Sequence, residues 1–209
     1  MNKCTIFAGG EPVSAECVDF SFVNGSYVIS ADRGYELAQS LGICSDLAIG
    51  DFDSVKERPC GDNVKVFPVK KDDTDLMLAV RAGIDKGCDK FVFYGAAGGR
   101  LDHMLGNIQA LKFLLDNGAA GRIVSDKETM DLLSPGSYEF PPKKGFSFSL
   151  LSYSESVEGL SITGTKYTAQ NITITNGFPI GISNEIKNDA FAQVKFTKGT
   201  LLVIQSLLE

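Results

Sequence analysis

The 209-residue chain has no tryptophan, a single histidine (His103) and no surplus of basic residues. Its 20 Lys and Arg stand against 26 Asp and Glu, a formal charge of −6. One imidazole excludes a histidine-built metal centre. The acidic balance argues against a sequence-independent grip on a nucleic acid backbone, which needs lysine and arginine in excess, so no nucleic acid partner is expected. The five cysteines (Cys4, Cys17, Cys44, Cys60, Cys88) form no CxxC pair and are odd in number. They read as free thiols in a reducing compartment rather than as disulfides or zinc ligands. No apolar run approaches the ~18 residues of a membrane-spanning helix. The opening apolar run, residues 1–8, is cut by Gly9-Gly10-Glu11-Pro12 before a signal-peptide core can form. A cytoplasmic location with no membrane partner is the expectation. Low-complexity segments and fixed-period repeats are also missing, and the 44% hydrophobic content is enough to build a real core.

Two halves with different patterning are present. Through about residue 127, short apolar runs alternate with amphipathic stretches. Strands are predicted over 4–8, 27–31, 47–49, 64–69, 91–94 and 122–124, with a helix over 35–41. Two longer helices are clearer. One carries Leu76, Ala79, Val80, Gly83 and Ile84 on one face; the other carries Leu101, Met104, Leu105, Ile108, Leu111 and Leu115 and stops at Gly118. Continuous apolar strands separated by helices specify a parallel α/β sheet covered on both faces. From residue 128 to 209 the helical period vanishes. Runs such as 146–150 and 172–175 alternate between turn signals, and 200–207 reads as a terminal strand, with a buried helix turn from 202–205 as the alternative, so an all-β sandwich or small barrel follows.

In a parallel α/β sheet, ligands bind beyond the carboxyl ends of the strands, and polar residues collect there. If the chain stays extended past Gly50, Asp51 and Asp53 project to one side. Two hard carboxylates beside phosphate suit Mg²⁺, although an Asp-rich surface turn is the commoner setting of such a pair. Asp72, Asp73 and Asp75 form a second acidic group. Asp72 or Asp73 could cap the following helix, but a helix cap leaves the rest of the cluster unexplained. A cation would relieve its repulsion, as in part would Lys70 and Lys71. Gly95, Gly98 and Gly99 let backbone amides approach an anion at a helix start. Arg100, His103 and Asn107 then share that helix's polar face, away from the apolar stripe. The residues alone therefore indicate a Mg²⁺-assisted site for a phosphorylated nucleotide.

The combination Gly50-Asp51-Phe52-Asp53-Ser54, Asp73-Thr74-Asp75, Gly98-Gly99-Arg100-Leu101-Asp102-His103 with Asn107, and Ser183-Asn184-Glu185 resembles the thiamine pyrophosphokinase family. Gly159-Leu160 and residues 163–167 extend the resemblance, which runs in order from about residue 9 to residue 185. It implies a Rossmann-like α/β domain (1–127) that binds ATP and Mg²⁺, followed by a β-sandwich domain (128–209) that binds thiamine. It also implies a homodimer whose active sites lie between the α/β half of one subunit and the β half of the other. The implied reaction moves pyrophosphate from ATP to the thiamine hydroxyl, giving thiamine diphosphate and AMP.

Carried over position by position, the resemblance gives Asp51, Asp53 and Asp75 to the metal, with Asp73 and Thr74 ordering that shell. Arg33, Arg100, His103 and Asn107 would contact the nucleotide, and Asp102 would lie near the reacting centre. Ser183 and Asn184 would meet the aminopyrimidine, and Tyr167 would offer a stacking face. Tyr167 stands where some relatives carry tryptophan, and Arg33 where many carry a second glycine. Two alternatives remain open: another Mg²⁺-dependent phosphoryl transfer with Asp51 as covalent nucleophile, and a nucleotide or thiamine sensor without turnover.

Overall fold

Short apolar runs without polar alternation can be strands only where both of their faces are covered, and β1 (Lys3–Phe7) meets that condition, with Cys4, Thr5, Ile6 and Phe7 all fully buried. A computed structural model describes residues 2–53, 55–68 and 73–208, and the chain forms two compact units, Met1–Asp126 and Lys127–Glu209. In the first unit β1 is followed by α1 (Phe20–Val23), β2 (Ser26–Ala31), α2 (Gly34–Ser40), β3 (Leu47–Gly50) and β4 (Val64–Val66). Then come α3 (Asp75–Asp85), β5 (Lys90–Tyr94), α4 (Leu101–Asp116) and β6 (Ala120–Val124). The six strands run parallel in the order β4-β3-β2-β1-β5-β6. Winding thus reverses between β1 and β5, which opens a crevice at the carboxyl ends of those two strands.

The strand expected over 64–69 ends at Val66, and Val69 lies outside the described residues. α3 buries Leu76, Ala79, Val80 and Gly83, the face its spacing predicts. In α4 the expected stripe is only half right. Leu101 and Leu105 are 65% and 54% exposed, and the buried face is Ile108, Ala110, Leu111 and Leu114. Residues 101–107 include no buried side chain, so the first two turns extend past the layer that the rest of the helix covers. α2 is seated on the end of β1 so closely that a β-carbon at Gly34 would lie 1.9 Å from the Phe7 carbonyl oxygen.

The second unit contains β7 (Glu128–Leu133), β8 (Gly136–Phe140), β9 (Phe146–Ser152), β10 (Ser156–Thr163), β11 (Ala169–Thr175), β12 (Ala192–Phe196) and β13 (Leu201–Leu207). β13 pairs antiparallel with both β7 and β9, and β11-β10-β12-β8 form a separate antiparallel sheet. Phe148, Leu150, Leu201 and Val203 from the first set share one core with Phe140, Leu160, Ile162, Val194 and Phe196 from the second. Two sheets facing each other across a shared apolar layer are the sandwich alternative of the sequence reading.

Candidate active site

The ends of β2 and β3 bring together three carboxylates. Asp32, Asp51 and Asp53 each offer an oxygen within 4.8 Å of the others, and this is the metal-capable group found among the described residues. Neighbouring parallel strands explain the first contact, because Ala31 pairs with Ile49 and the Asp32 N–H donates to the Ile49 carbonyl at 2.8 Å. The bare α-carbon of Gly50 allows it, since a β-carbon there would stand 3.0 Å from Asp32 Cα.

Asp51 and Asp53 do not converge through an extended chain, as the i, i+2 spacing suggests. Phe52 between them has φ +54°, in the left-handed region, and its ring is buried. A bulky residue there costs of the order of 1 kcal/mol or more and persists only where its surroundings hold it. Here the buried ring, the Asp53 N–H donated to Asp51 Oδ1 (3.1 Å), and Arg58 do so. Arg58 donates to the carbonyls of Phe52 and Asp51, both at 3.3 Å. Asp32 stands at one of the strand ends where the sequence gathers polar residues, but neither it nor Arg58 is given to the metal by the sequence reading. The only signal for Asp32 is its position directly after an apolar strand, beside Arg33.

Across the crevice the loops after β1 and β5 are joined by main-chain bonds: Ala8 N–H to Tyr94 O (2.8 Å), Gly10 N–H to Gly95 O (2.7 Å) and Glu11 N–H to Ala97 O (3.2 Å). Gly95, Gly98 and Gly99 all adopt positive φ. The Gly99 N–H is held at 3.3 Å by Glu11 Oε1. Arg33, exposed, lies against this rim, its Cβ 3.0 Å from where a β-carbon on Gly9 would be. Arg100 occupies the N-cap position of α4 without capping it and instead pairs with Asp102 at 2.6 Å, both side chains being well exposed. The Arg100 guanidinium holds the Asp102 carboxyl below the usual carboxylate range. Asp102 also accepts the His103 N–H (3.0 Å), and the His103 side chain is exposed. Asn107 donates to the Ala96 carbonyl at 2.8 Å and so anchors the glycine turn to α4.

The second acidic group is arranged differently from the first. Thr74, not Asp72 or Asp73, is the N-cap of α3, its hydroxyl accepting from the Met77 N–H at 3.2 Å. Asp73 pairs with Arg81 at 2.9 Å. Asp75 opens the helix, half-buried, and is not a member of the three-carboxylate group. Ser54, Lys70, Lys71 and Asp72 lie outside the described residues.

In the second unit, Tyr167, Ile180, Ile182 and Asn184 border a cavity of about 420 Å³ whose lining includes Leu150, Leu160, Ile162, Ile172 and Ile174. Tyr167 is 64% exposed and carries Lys166 5.7 Å from its ring centre. Asn184 is buried and its amide makes three bonds: Oδ1 accepts from the N–H of Tyr167 (3.0 Å) and of Glu185 (2.9 Å), and Nδ2 donates to the Tyr167 carbonyl (2.7 Å). Its visible role is to fix Tyr167. Ser183 has φ +60° and is exposed, with its N–H held by Ser149 Oγ at 3.0 Å.

A parallel sheet with helices, carrying clustered carboxylates at the ends of β2 and β3 and a glycine turn after β5, defines an α/β unit suited to a nucleotide, here joined to an antiparallel β unit. Comparison with known proteins makes this specific. Residues 21–120 match the family described as thiamin pyrophosphokinase, catalytic domain, and residues 137–201 match thiamin pyrophosphokinase, vitamin B1 binding domain. Thiamine pyrophosphokinase of Bacillus subtilis (strain 168) is 32% identical over 185 residues, covering 85% of this chain and 86% of that protein. A crystal structure of the B. subtilis thiamine pyrophosphokinase superposes with a TM-score of 0.87 at 30% identity over 99% of both chains. That of Geobacillus thermodenitrificans thiamin pyrophosphokinase gives 0.82 at 27% identity, over 98% of this chain and 97% of that one. The chain belongs to the thiamine pyrophosphokinase family.

Proposed function

We propose that the protein transfers the terminal pyrophosphoryl group of ATP to the hydroxyethyl oxygen of thiamine, releasing thiamine diphosphate and AMP. The observation that carries this reading is the convergence of Asp32, Asp51 and Asp53 at the strand ends of a unit that also presents a positive-φ glycine turn. Their chemistry fits Mg²⁺, a hard cation that takes a few carboxylate oxygens and completes its shell with water and phosphate. Asp51, Asp53 and Asp32 would hold it, and the resemblance adds Asp75 at the start of α3 as a further ligand. When bound, the ion neutralises charge on the triphosphate.

The chain's own residues do the rest by placement. Phosphoryl-type transfer passes through a loose, charge-rich state and needs alignment more than a strong base. The glycine turn offers amide donors to phosphate oxygens, with Arg33, Arg100 and His103 as exposed side chains within reach of a nucleotide. Asn107 holds the turn in shape. Asp102 is ionised and paired with Arg100, which keeps it from acting as a proton donor near the reacting centre. In the Rossmann-like unit this is the ATP half of the site. Tyr167, fixed by Asn184, and the exposed Ser183 hydroxyl serve the thiamine rings at the mouth of the second unit's cavity. The apolar surface of Phe178, Ile180, Ile182 and Phe191, each more than half exposed, supports a homodimer in which a second subunit completes the site. Free cysteines support a cytoplasmic setting.

The test is purified protein with thiamine, ATP and Mg²⁺, followed by chromatography. Equal amounts of AMP and thiamine diphosphate are expected. ADP would indicate a simple kinase, a trapped phosphoenzyme would indicate the covalent Asp51 route, and ligand binding without product would indicate a sensor.

A further inference from the structure

The glycine turn is not bare. Glu11 Oε1 accepts the Gly99 N–H at 3.3 Å, and the carboxyl carbon lies only 2.3 Å from the point a β-carbon on Gly98 would occupy. Its carboxylate therefore rests on the side-chain-free surface of Gly98, in contact with an amide just ahead of α4. α4 spans 16 residues and its N-cap side chain makes no capping bond; Asp102 in its first turn takes the His103 N–H, while the Gly99 N–H ahead of it is left to Glu11. The main chain of Glu11 is fixed by its bond to Ala97, whereas its side chain is exposed and can swing away.

We infer that Glu11 is the chain's own occupant of a nucleotide phosphate position: its carboxylate covers the Gly98-Gly99 turn in the free protein and must leave when a phosphate arrives, so that Glu11 sets nucleotide affinity. The inference rests on the proposed nucleotide site. Two anions cannot share one amide and one glycine surface, so binding proceeds from the fraction of molecules in which the carboxylate has moved off. An occupant present about 70–90% of the time weakens apparent affinity by about three- to tenfold, since the observed Kd is the intrinsic one divided by the competent fraction. The opposite role for the same carboxylate is to accept hydrogen bonds from the ribose hydroxyls, and this reverses the sign of the effect.

Titration calorimetry with MgATP, without thiamine, separates the two. Glu11→Gln keeps the shape and removes the charge, and Glu11→Ala removes the group. We expect Kd to fall about three- to tenfold in Glu11→Ala and to fall also in Glu11→Gln, with inorganic pyrophosphate following the same order. An unchanged or larger Kd in Glu11→Ala overturns the inference, as does a wild-type protein that binds no MgATP. If wild type and variants follow the expected order but no thiamine diphosphate forms in the product assay, the inference stands and the proposed reaction fails.

Discussion

Asp51→Asn tests whether the three carboxylates form a real electrostatic unit. The substitution preserves shape and leaves Oδ1 able to accept the Asp53 N–H. It removes repulsion against two partners, Asp32 and Asp53, whose oxygens lie within 4.8 Å. At that separation each pair of unit charges repels by about 0.9 kcal/mol in bulk water and by ~3.5 kcal/mol at the effective dielectric typical near a protein surface. Asp32 and Asp51 are half-buried and Asp53 is exposed, so salt screens much of the higher figure. A net gain of about 1–2 kcal/mol for the metal-free protein follows, which raises Tm by about 2–6 °C in a chain of this size. Scanning calorimetry without divalent ions measures it. Added Mg²⁺ should then raise Tm in the wild type and have less effect in Asp51→Asn, while thiamine diphosphate formation drops by about two orders of magnitude or more. A variant that melts lower than the wild type, or that Mg²⁺ stabilises equally, would refute the idea that these side chains are held together against their charge.

Other consequences are as direct. Gly34→Ala drives a β-carbon into the Phe7 carbonyl and should cost about 3 kcal/mol or more in urea unfolding, with little soluble protein recovered at 37 °C. Asn184→Ala abandons three hydrogen bonds in a buried setting and should lower stability by about 2–4 kcal/mol, with a raised KM for thiamine as Tyr167 loosens. A thiol reagent should label Cys44 and Cys60 in the native protein and reach Cys4 only after unfolding. Burial pushes the Cys4 thiol well above its ordinary value of 9.0, so it keeps its proton when folded. Stability should therefore fall as pH rises past that value, where only the unfolded thiol ionises, and Cys4→Ala should flatten that part of the Tm profile.

The outline of the fold was legible because strand burial and helix periodicity are local signals. Residues 4–7 and the face Leu76, Ala79, Val80 and Gly83 needed no tertiary knowledge. The stripe on α4 misled at Leu101 and Leu105 because periodicity records which face is apolar, not how far along the helix there is a layer to cover it. The role of Asp32 beside Asp51 is hidden for a related reason. Its partnership with Asp51 depends on β2 lying beside β3, which spacing does not encode. Phe52 is a further instance, since an extended reading gave the right convergence by the wrong route. Nothing in the sequence distinguishes a left-handed aromatic from an extended one. Thr74 and Asp73 show the remaining ambiguity, where several adjacent capping residues compete and only the helix start decides.

The stitching of residues 8–11 to residues 94–97 bears on how substrate can enter. Because each rung is amide to carbonyl, the two lips of the crevice form a single ribbon whose geometry is indifferent to most side-chain replacement. Neither lip can open alone without breaking rungs, so access must come from side chains swinging off the ribbon or from the acidic wall opposite. Amide exchange at positions 8, 10 and 11 should accordingly be slow and correlated, like that of strands, although β1 itself ends at Phe7.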